Sequence, residues 1–328
     1  MTGGAARTLM LTSLATVFAQ WTTNQPMPQP RQKFGLGVTG SGAIFVGGTG
    51  GSGATPISSD TVAAQYNVAA DAWAYLNSMP TGRVELGVGV DATGAALHAV
   101  GGFATSQLAA VEKYTLIQDR WTTARPMPVA KSAFSFCVIG DVAIAVGGSP
   151  FQLSYTADTH ALALPSGAWT TVHRSPTARR SMAAASTTAG KMYVIGGTGG
   201  TGTGTSGTDL QTVESYTAAT DAWSSASAVP GVRVSSAAGF YGDDLYVLGG
   251  TSSASPTGNQ LAFVHAYSLS SSRWTTSVPM PTARSLLMAA IARGSNARLY
   301  ALGGTGSGSF TIGAYSESRA LPYGSSPA

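Results

Sequence analysis

The chain has 328 residues, of which only 10% are charged and 44% are hydrophobic; low charge with this much apolar content argues against a disordered chain. Its net charge of +4 comes from 18 basic and 14 acidic residues, scattered without a Lys/Arg run, so no nucleic-acid-binding patch is expected. No run of 18 apolar residues is present, which argues against a membrane-spanning helix, and the single cysteine, Cys137, excludes an internal disulfide framework.

Residues 1–19 stand apart from the rest. The apolar run LMLTSLATVFA and the small-residue end Val17-Phe18-Ala19 match a signal peptide whose cleavage would leave Gln20 first. The same run also fits an extension of the first strand. The chain is therefore expected to be either secreted or cytoplasmic.

From Trp21 onward one unit recurs six times. A short apolar run ends in a glycine pair at Gly47-Gly48, Gly101-Gly102, Gly147-Gly148, Gly196-Gly197, Gly249-Gly250 and Gly303-Gly304. The step of roughly fifty residues marks a repeat architecture. Tryptophans keep the same beat: Trp21, Trp73, Trp121, Trp169, Trp223 and Trp274. A tyrosine precedes four of them by seven residues, at Tyr66, Tyr114, Tyr216 and Tyr267. After each Trp comes a proline turn closing on a cation: MPQPR, MPTGR, MPVAK, SPTAR, VPGVR and MPTAR. This combination resembles the kelch repeat, over residues 20 to 316. The resemblance implies a six-bladed β-propeller of four-stranded antiparallel blades, an all-β fold.

Each unit divides into four strands. Small residues after each Arg (FGLGV, LGVGV, AAAS, SSAAG, MAAI) suit an innermost strand A, where blades converge on the axis. A tight turn leads to strand B, which ends at the glycine pair, where positive φ and close backbone approach are allowed. Strand C carries the Tyr and strand D opens with the Trp; these aromatics are expected to wedge between blades. The chain starts with a D strand at Trp21 and ends after a C strand marked by Tyr315, with 317–328 as a tail. The two ends should complete one blade together, leaving only short, protected edges. The copy with Leu162 in place of the Tyr before Trp169 is the least regular.

Antiparallel geometry places the B–C loops at 49–61, 198–211 and 251–260 on the same face as the start of strand A, and loops on a rigid scaffold carry function. In kelch adaptors of ubiquitin ligases, partner contacts come from this rim, including the position two beyond the repeat cation. Here those positions are Lys33, Glu85, Ala133, Ser181, Ser235 and Leu286, so the arginine-lined pocket of those adaptors is not reproduced. Lys33, Glu85, Arg180, Ser181 and Ser235 are the candidate partner-binding residues. The repeat arginines Arg31, Arg83, Arg179, Arg233 and Arg284 are expected to brace the D–A turn through backbone carbonyls.

Enzymatic kelch proteins supply further tests. The four histidines, His98, His160, His173 and His265, are isolated from one another, unlike the copper set of the galactose-oxidase type, and the Glu/Asp iron spacing of the plant specifier type does not occur. A mutarotase-like site needs only a few polar residues at the channel mouth, and Glu85 is a lone carboxylate there. The glycine-rich tracts lack the Lys-Ser/Thr of a phosphate loop, and Ser307 sits directly between Gly306 and Gly308 without the flanking of a nucleophile elbow. No catalytic residue, metal site or cofactor is assigned. The expected function is a non-catalytic scaffold for a protein, peptide or neutral ligand. An extracytoplasmic carbohydrate-active protein, or a subunit held in an assembly by its outer edges, are the alternatives.

Overall fold

The computed structural model describes residues 20–50, 59–151, 154–164, 166–200, 207–252, 260–293, 296–306 and 312–321. The signal-peptide reading of 1–19 and most of the long loop at 49–61 lie outside these residues, as do parts of the loops at 198–211 and 251–260.

Alternating and β-branched runs separated by Gly- or Asp-bearing turns fold as antiparallel hairpins. Among the described residues they build six four-stranded sheets. In order from strand A to strand D, the first is Gly35–Thr39, Gly42–Val46, Ala63–Asn67 and Ala72–Leu76. The second is Gly87–Val90, Ala96–Val100, Val111–Thr115 and Arg120–Ala124. The third is Ser135–Ile139, Val142–Val146, Thr159–Ala163 and Ala168–Val172. The fourth is Ala183–Ser186, Lys191–Ile195, Val213–Thr217 and Ala222–Ala226. The fifth is Ala237–Tyr241, Asp244–Leu248, Val264–Ser268 and Arg273–Ser277. The sixth is Met288–Ala292, Arg298–Leu302, Ser316–Ala320 and, from the other end of the chain, Trp21–Thr23.

The A strands touch one another in sequence, and the sixth touches the first, so the sheets close into a ring. Small residues are needed there: a Cβ on Gly35 would lie 2.0 Å from Val88 Cγ2, and one on Gly87 would lie 2.6 Å from Phe136 Cβ. The core lies between neighbouring sheets. Ile44 and Val46 of the first sheet, for example, pack with Val88, Leu97 and Ala99 of the second.

The termini meet in the sixth sheet, with Trp21 opposite Arg319 and Thr22 opposite Ser318. Two boundaries differ from the sequence reading. Strand C of this sheet is Ser316–Ala320, so residues 317–320 are a paired strand and not a tail. Tyr315 precedes that strand, and Arg319 takes the place facing the Trp that a Tyr holds in four other sheets. In three of those four sheets the Tyr hydroxyl donates to an Asp in the C–D turn, as in Tyr66 to Asp71 (2.6 Å) and Tyr216 to Asp221 (2.8 Å). A sheet whose C and D strands come from opposite chain ends has no such turn, so the Tyr loses its partner. In the third sheet strand C forms where expected, with Leu162 opposite Trp169.

Three sets of six hydrogen bonds run round the ring. In the outer set each Trp indole N–H donates to a carbonyl of the preceding sheet: Trp73 to Gln25, Trp121 to Asn77, Trp169 to Arg125, Trp223 to His173, Trp274 to Ser227, and Trp21 to Val278. In the middle set the second glycine of each pair donates to the carbonyl of the next repeat cation, from Gly48 to Arg83 round to Gly304 to Arg31. This explains the glycines. At Gly48 φ is +95°, and at Gly47 a Cβ would stand 2.6 Å from the Arg83 oxygen, so a side chain would push the two backbones apart. The innermost set forms the site described next.

Candidate binding face at the channel mouth

The residue two beyond each repeat cation has positive φ: Lys33 (54°), Glu85 (55°), Ala133 (52°), Ser181 (56°), Ser235 (54°) and Leu286 (55°). Left-handed backbone is costly for side chains other than Gly, Asn or Asp. Here it is enforced by the innermost set of hydrogen bonds. Glu85 N–H donates to Lys33 carbonyl, Ala133 to Glu85, Ser181 to Ala133, Ser235 to Ser181, Leu286 to Ser235, and Lys33 to Leu286. The backbone thus forms an unbroken hexagon around the axis.

These six side chains line a shallow cavity of about 130 Å³, together with Phe34, Leu86, Phe134, Met182 and Leu287. Lys33 Nζ lies 2.7 Å from Glu85 Oε1, and the Ser132 hydroxyl donates to Glu85 Oε2 at 3.2 Å. The pair is half-buried, with side chains 33% and 26% exposed, so it contributes at most about 1 kcal/mol. Glu85 is the one carboxylate among the described residues lining this cavity, and Lys33 and Ser132 are its partners. The rim is polar at Lys33, Glu85, Ser181 and Ser235, and apolar at Ala133 and Leu286. Arg180, grouped with them from sequence, does not line this cavity. It sits one residue nearer the repeat Arg and pairs with Thr198 in a small ladder between the D–A turn and the B–C loop.

Behind the mouth runs a channel of about 440 Å³ lined by the A strands. Cys137 and Arg293 are the titratable side chains among its described lining residues. Burial pushes the Cys137 thiol up to about 12, which holds it as a small protonated hydrophobe.

The repeat cations are buried beside the mouth, and Arg31, Arg83, Arg179 and Arg284 are 0% exposed. They bind strand-B carbonyls or the glycine that follows, as in Arg83 Nη2 to Ala99 oxygen (3.1 Å) and Arg284 Nη2 to Ala301 oxygen (3.1 Å). Each of these four also meets a carboxylate, which the sequence reading missed. Arg83 pairs with Glu112 at 3.0 Å, Arg284 with Glu317 at 2.9 Å, Arg31 with Asp60 at 2.9 Å, and Arg179 with Glu214. In three repeats the Thr two before the Arg donates to the same glutamate: Thr81 to Glu112, Thr177 to Glu214 and Thr282 to Glu317. The signal was present as Pro-Thr-x-Arg followed by a strand-C glutamate.

The third repeat replaces both partners. Lys131 is 0% exposed, and its Nζ reaches only carbonyls, of Ala145 at 3.5 Å and Asp158 at 3.3 Å. Burial lowers its pKa to about 7, against the opposing pull of Asp158. Its strand-C neighbour His160 is held below its ordinary value by burial and then by Lys131. His98 is likewise lowered, chiefly by burial, while exposed His173 pairs with Asp221 at 2.9 Å. Among the described residues no three His, Cys, Asp or Glu side chains gather as a metal site, and no helix is long and apolar enough to cross a membrane.

Four-stranded sheets set radially and sealed by the two chain ends define a β-propeller. The KLHDC2/KLHL20/DRC7 Kelch-repeats domain matches residues 133–313, more than half of the chain, and the chain belongs to the kelch-repeat family. A solved structure titled "Structure of YjhT" matches with a TM-score of 0.73 and 14% identity, over 91% of this chain and 96% of that one. That likeness concerns the fold. None of the curated proteins matches the chain.

Proposed function

We propose that the protein is a non-catalytic kelch binding module that takes a peptide segment or loop of a protein partner at the mouth bounded by Lys33, Glu85, Ser181 and Ser235. The observation that carries this reading is the hexagon itself. The mouth's backbone N–H and C=O groups bond one another, so recognition falls to six side chains held on a rigid frame. A preorganised surface of this kind lowers the ordering cost of binding. Its mixture of one ion pair, two hydroxyls and an apolar edge suits a neutral, hydrogen-bonding segment.

Photo-crosslinking tests the reading. A benzophenone side chain at Ser181 or Leu286 should capture a discrete partner from native extract, and Lys33→Ala/Glu85→Ala should abolish the capture while leaving thermal stability nearly unchanged. Capture that is equally strong from Thr93, in an A–B turn on the opposite face, would contradict it. A glycan screen run in parallel reports the carbohydrate alternative, which requires sugar binding that the same double substitution removes.

A further inference from the structure

The fifth repeat keeps its arginine but loses both polar groups that accompany it in the second, fourth and sixth. Gly231 stands where those repeats have Thr81, Thr177 and Thr282, and His265 stands where they have Glu112, Glu214 and Glu317. Arg233 is nonetheless 4% exposed. Its Nη1 donates to the Val232 carbonyl at 3.0 Å, its Nη2 lies 3.1 Å from His265 Nδ1, and its Nε has no partner. All 14 acidic residues of the chain lie among the described ones, and none pairs with Arg233. Burial alone drives its guanidinium below the ordinary value.

An arginine does not relieve that situation by releasing a proton, whereas the third repeat answers the same loss of glutamate with a lysine, which does. Because Arg233 only donates, His265 Nδ1 accepts and the imidazole hydrogen is on Nε2. Burial and the Arg233 charge both favour this neutral ring. Among the described residues the site therefore carries one positive charge and no carboxylate partner.

A cleft of about 450 Å³ opens against the guanidinium, walled by Pro230, Leu261, Phe263 and His265. A Cβ on Gly231 would stand 3.3 Å from Arg233 Nη1, so the missing threonine is part of what leaves room beside the cation. Phe263 is 50% exposed, with the guanidinium carbon 5.8 Å from its ring centre. The cleft thus combines a buried, unneutralised cation with an open apolar wall, the pattern of a small-ligand site.

We propose that this cleft binds an organic carboxylate, whose oxygens accept from the Arg233 N–H groups that Val232 and His265 leave unused, and whose apolar body lies against Phe263 and Leu261. A planar carboxylate matches the guanidinium fork. The site is separate from the channel mouth and does not depend on it.

Thermal unfolding of the full chain with benzoate, at constant ionic strength, tests the proposal. Wild-type Tm should rise in a saturable way, by roughly 5 °C at a hundredfold excess over Kd, and Arg233→Met should remove the response. His265→Glu supplies the carboxylate from within: its Tm without ligand should exceed that of wild type, and benzoate should no longer shift it. If that variant does not fold, saturation-transfer NMR of benzoate on wild type against Arg233→Met decides the matter. An unmoved wild-type Tm, an equal rise in either variant, or a response to inorganic phosphate but not to benzoate each overturns the proposal. An N-acetylated peptide bearing one glutamate, run beside benzoate, separates a partner's side chain from a free small acid as the source of the carboxylate.

Discussion

Removing the carboxylate of Glu112 should cost far more than its single ion pair would on a surface. Arg83 is 0% exposed and the Glu112 side chain 5% exposed, with 3.0 Å between Nη2 and Oε2. Glu112 also accepts from Thr81 at 2.7 Å. In Glu112→Leu the guanidinium keeps only the Ala99 carbonyl and remains charged in a site closed to water. Breaking a buried pair from one side costs about 3–5 kcal/mol, whereas replacing both members by apolar groups is often close to neutral. Arg83→Met/Glu112→Leu should therefore recover most of the loss, giving a coupling energy of about 2–3 kcal/mol in a double-mutant cycle. Urea unfolding followed by tryptophan fluorescence measures all four corners. A loss below about 1 kcal/mol for Glu112→Leu, or additive single substitutions, would refute the claim that these pairs are buried and coupled.

Lys131 gives a pH prediction. Its folded pKa of about 7 lies below the ordinary lysine value of 10.5, so between these values the unfolded chain binds the extra proton. Stability should rise as pH goes from 7 towards 10.5, by up to about 4 kcal/mol, and Lys131→Met should flatten that slope in urea midpoints at pH 7 and 9.5. Trp121→Phe removes the indole bond to the Asn77 carbonyl at 2.8 Å and should cost about 1–2 kcal/mol, measured by thermal unfolding; no loss would show that the outer set of bonds is idle. Ala133→Gly relieves a φ of 52° and should stabilise by about 0.5–1 kcal/mol after the added chain entropy of glycine, seen as a higher urea midpoint.

The strand order and the closure by the chain ends were legible because six copies reinforce one another: a glycine pair or a Trp is weak alone and decisive when repeated. The buried ion pairs were not, since each arginine was read against its own turn while its partner lies 29 residues on for Arg83 and 33 for Arg284. The left-handed ring was also hidden. Lys, Glu, Ala, Ser and Leu carry no local signal for positive φ, and only the closed hexagon requires it. Tyr315 was misplaced because the seven-residue rule reports a C–D turn, which the sixth sheet does not have. Lys33, Glu85, Ser181 and Ser235 do gather at one mouth, whereas Arg180 falls outside because a one-residue step along the D–A segment moves a side chain off the rim.

Ring closure by the chain ends is tested most directly by a cross-link. Thr22 Oγ1 and Ser318 Oγ lie 3.4 Å apart although the residues are separated by 296 positions. With both changed to cysteine, mild oxidation should join them in high yield, detected by peptide mass spectrometry, and should raise Tm. If no such disulfide forms while a Thr22→Cys/Thr276→Cys control cross-links, the N-terminal strand lies in another sheet and the closed ring is contradicted.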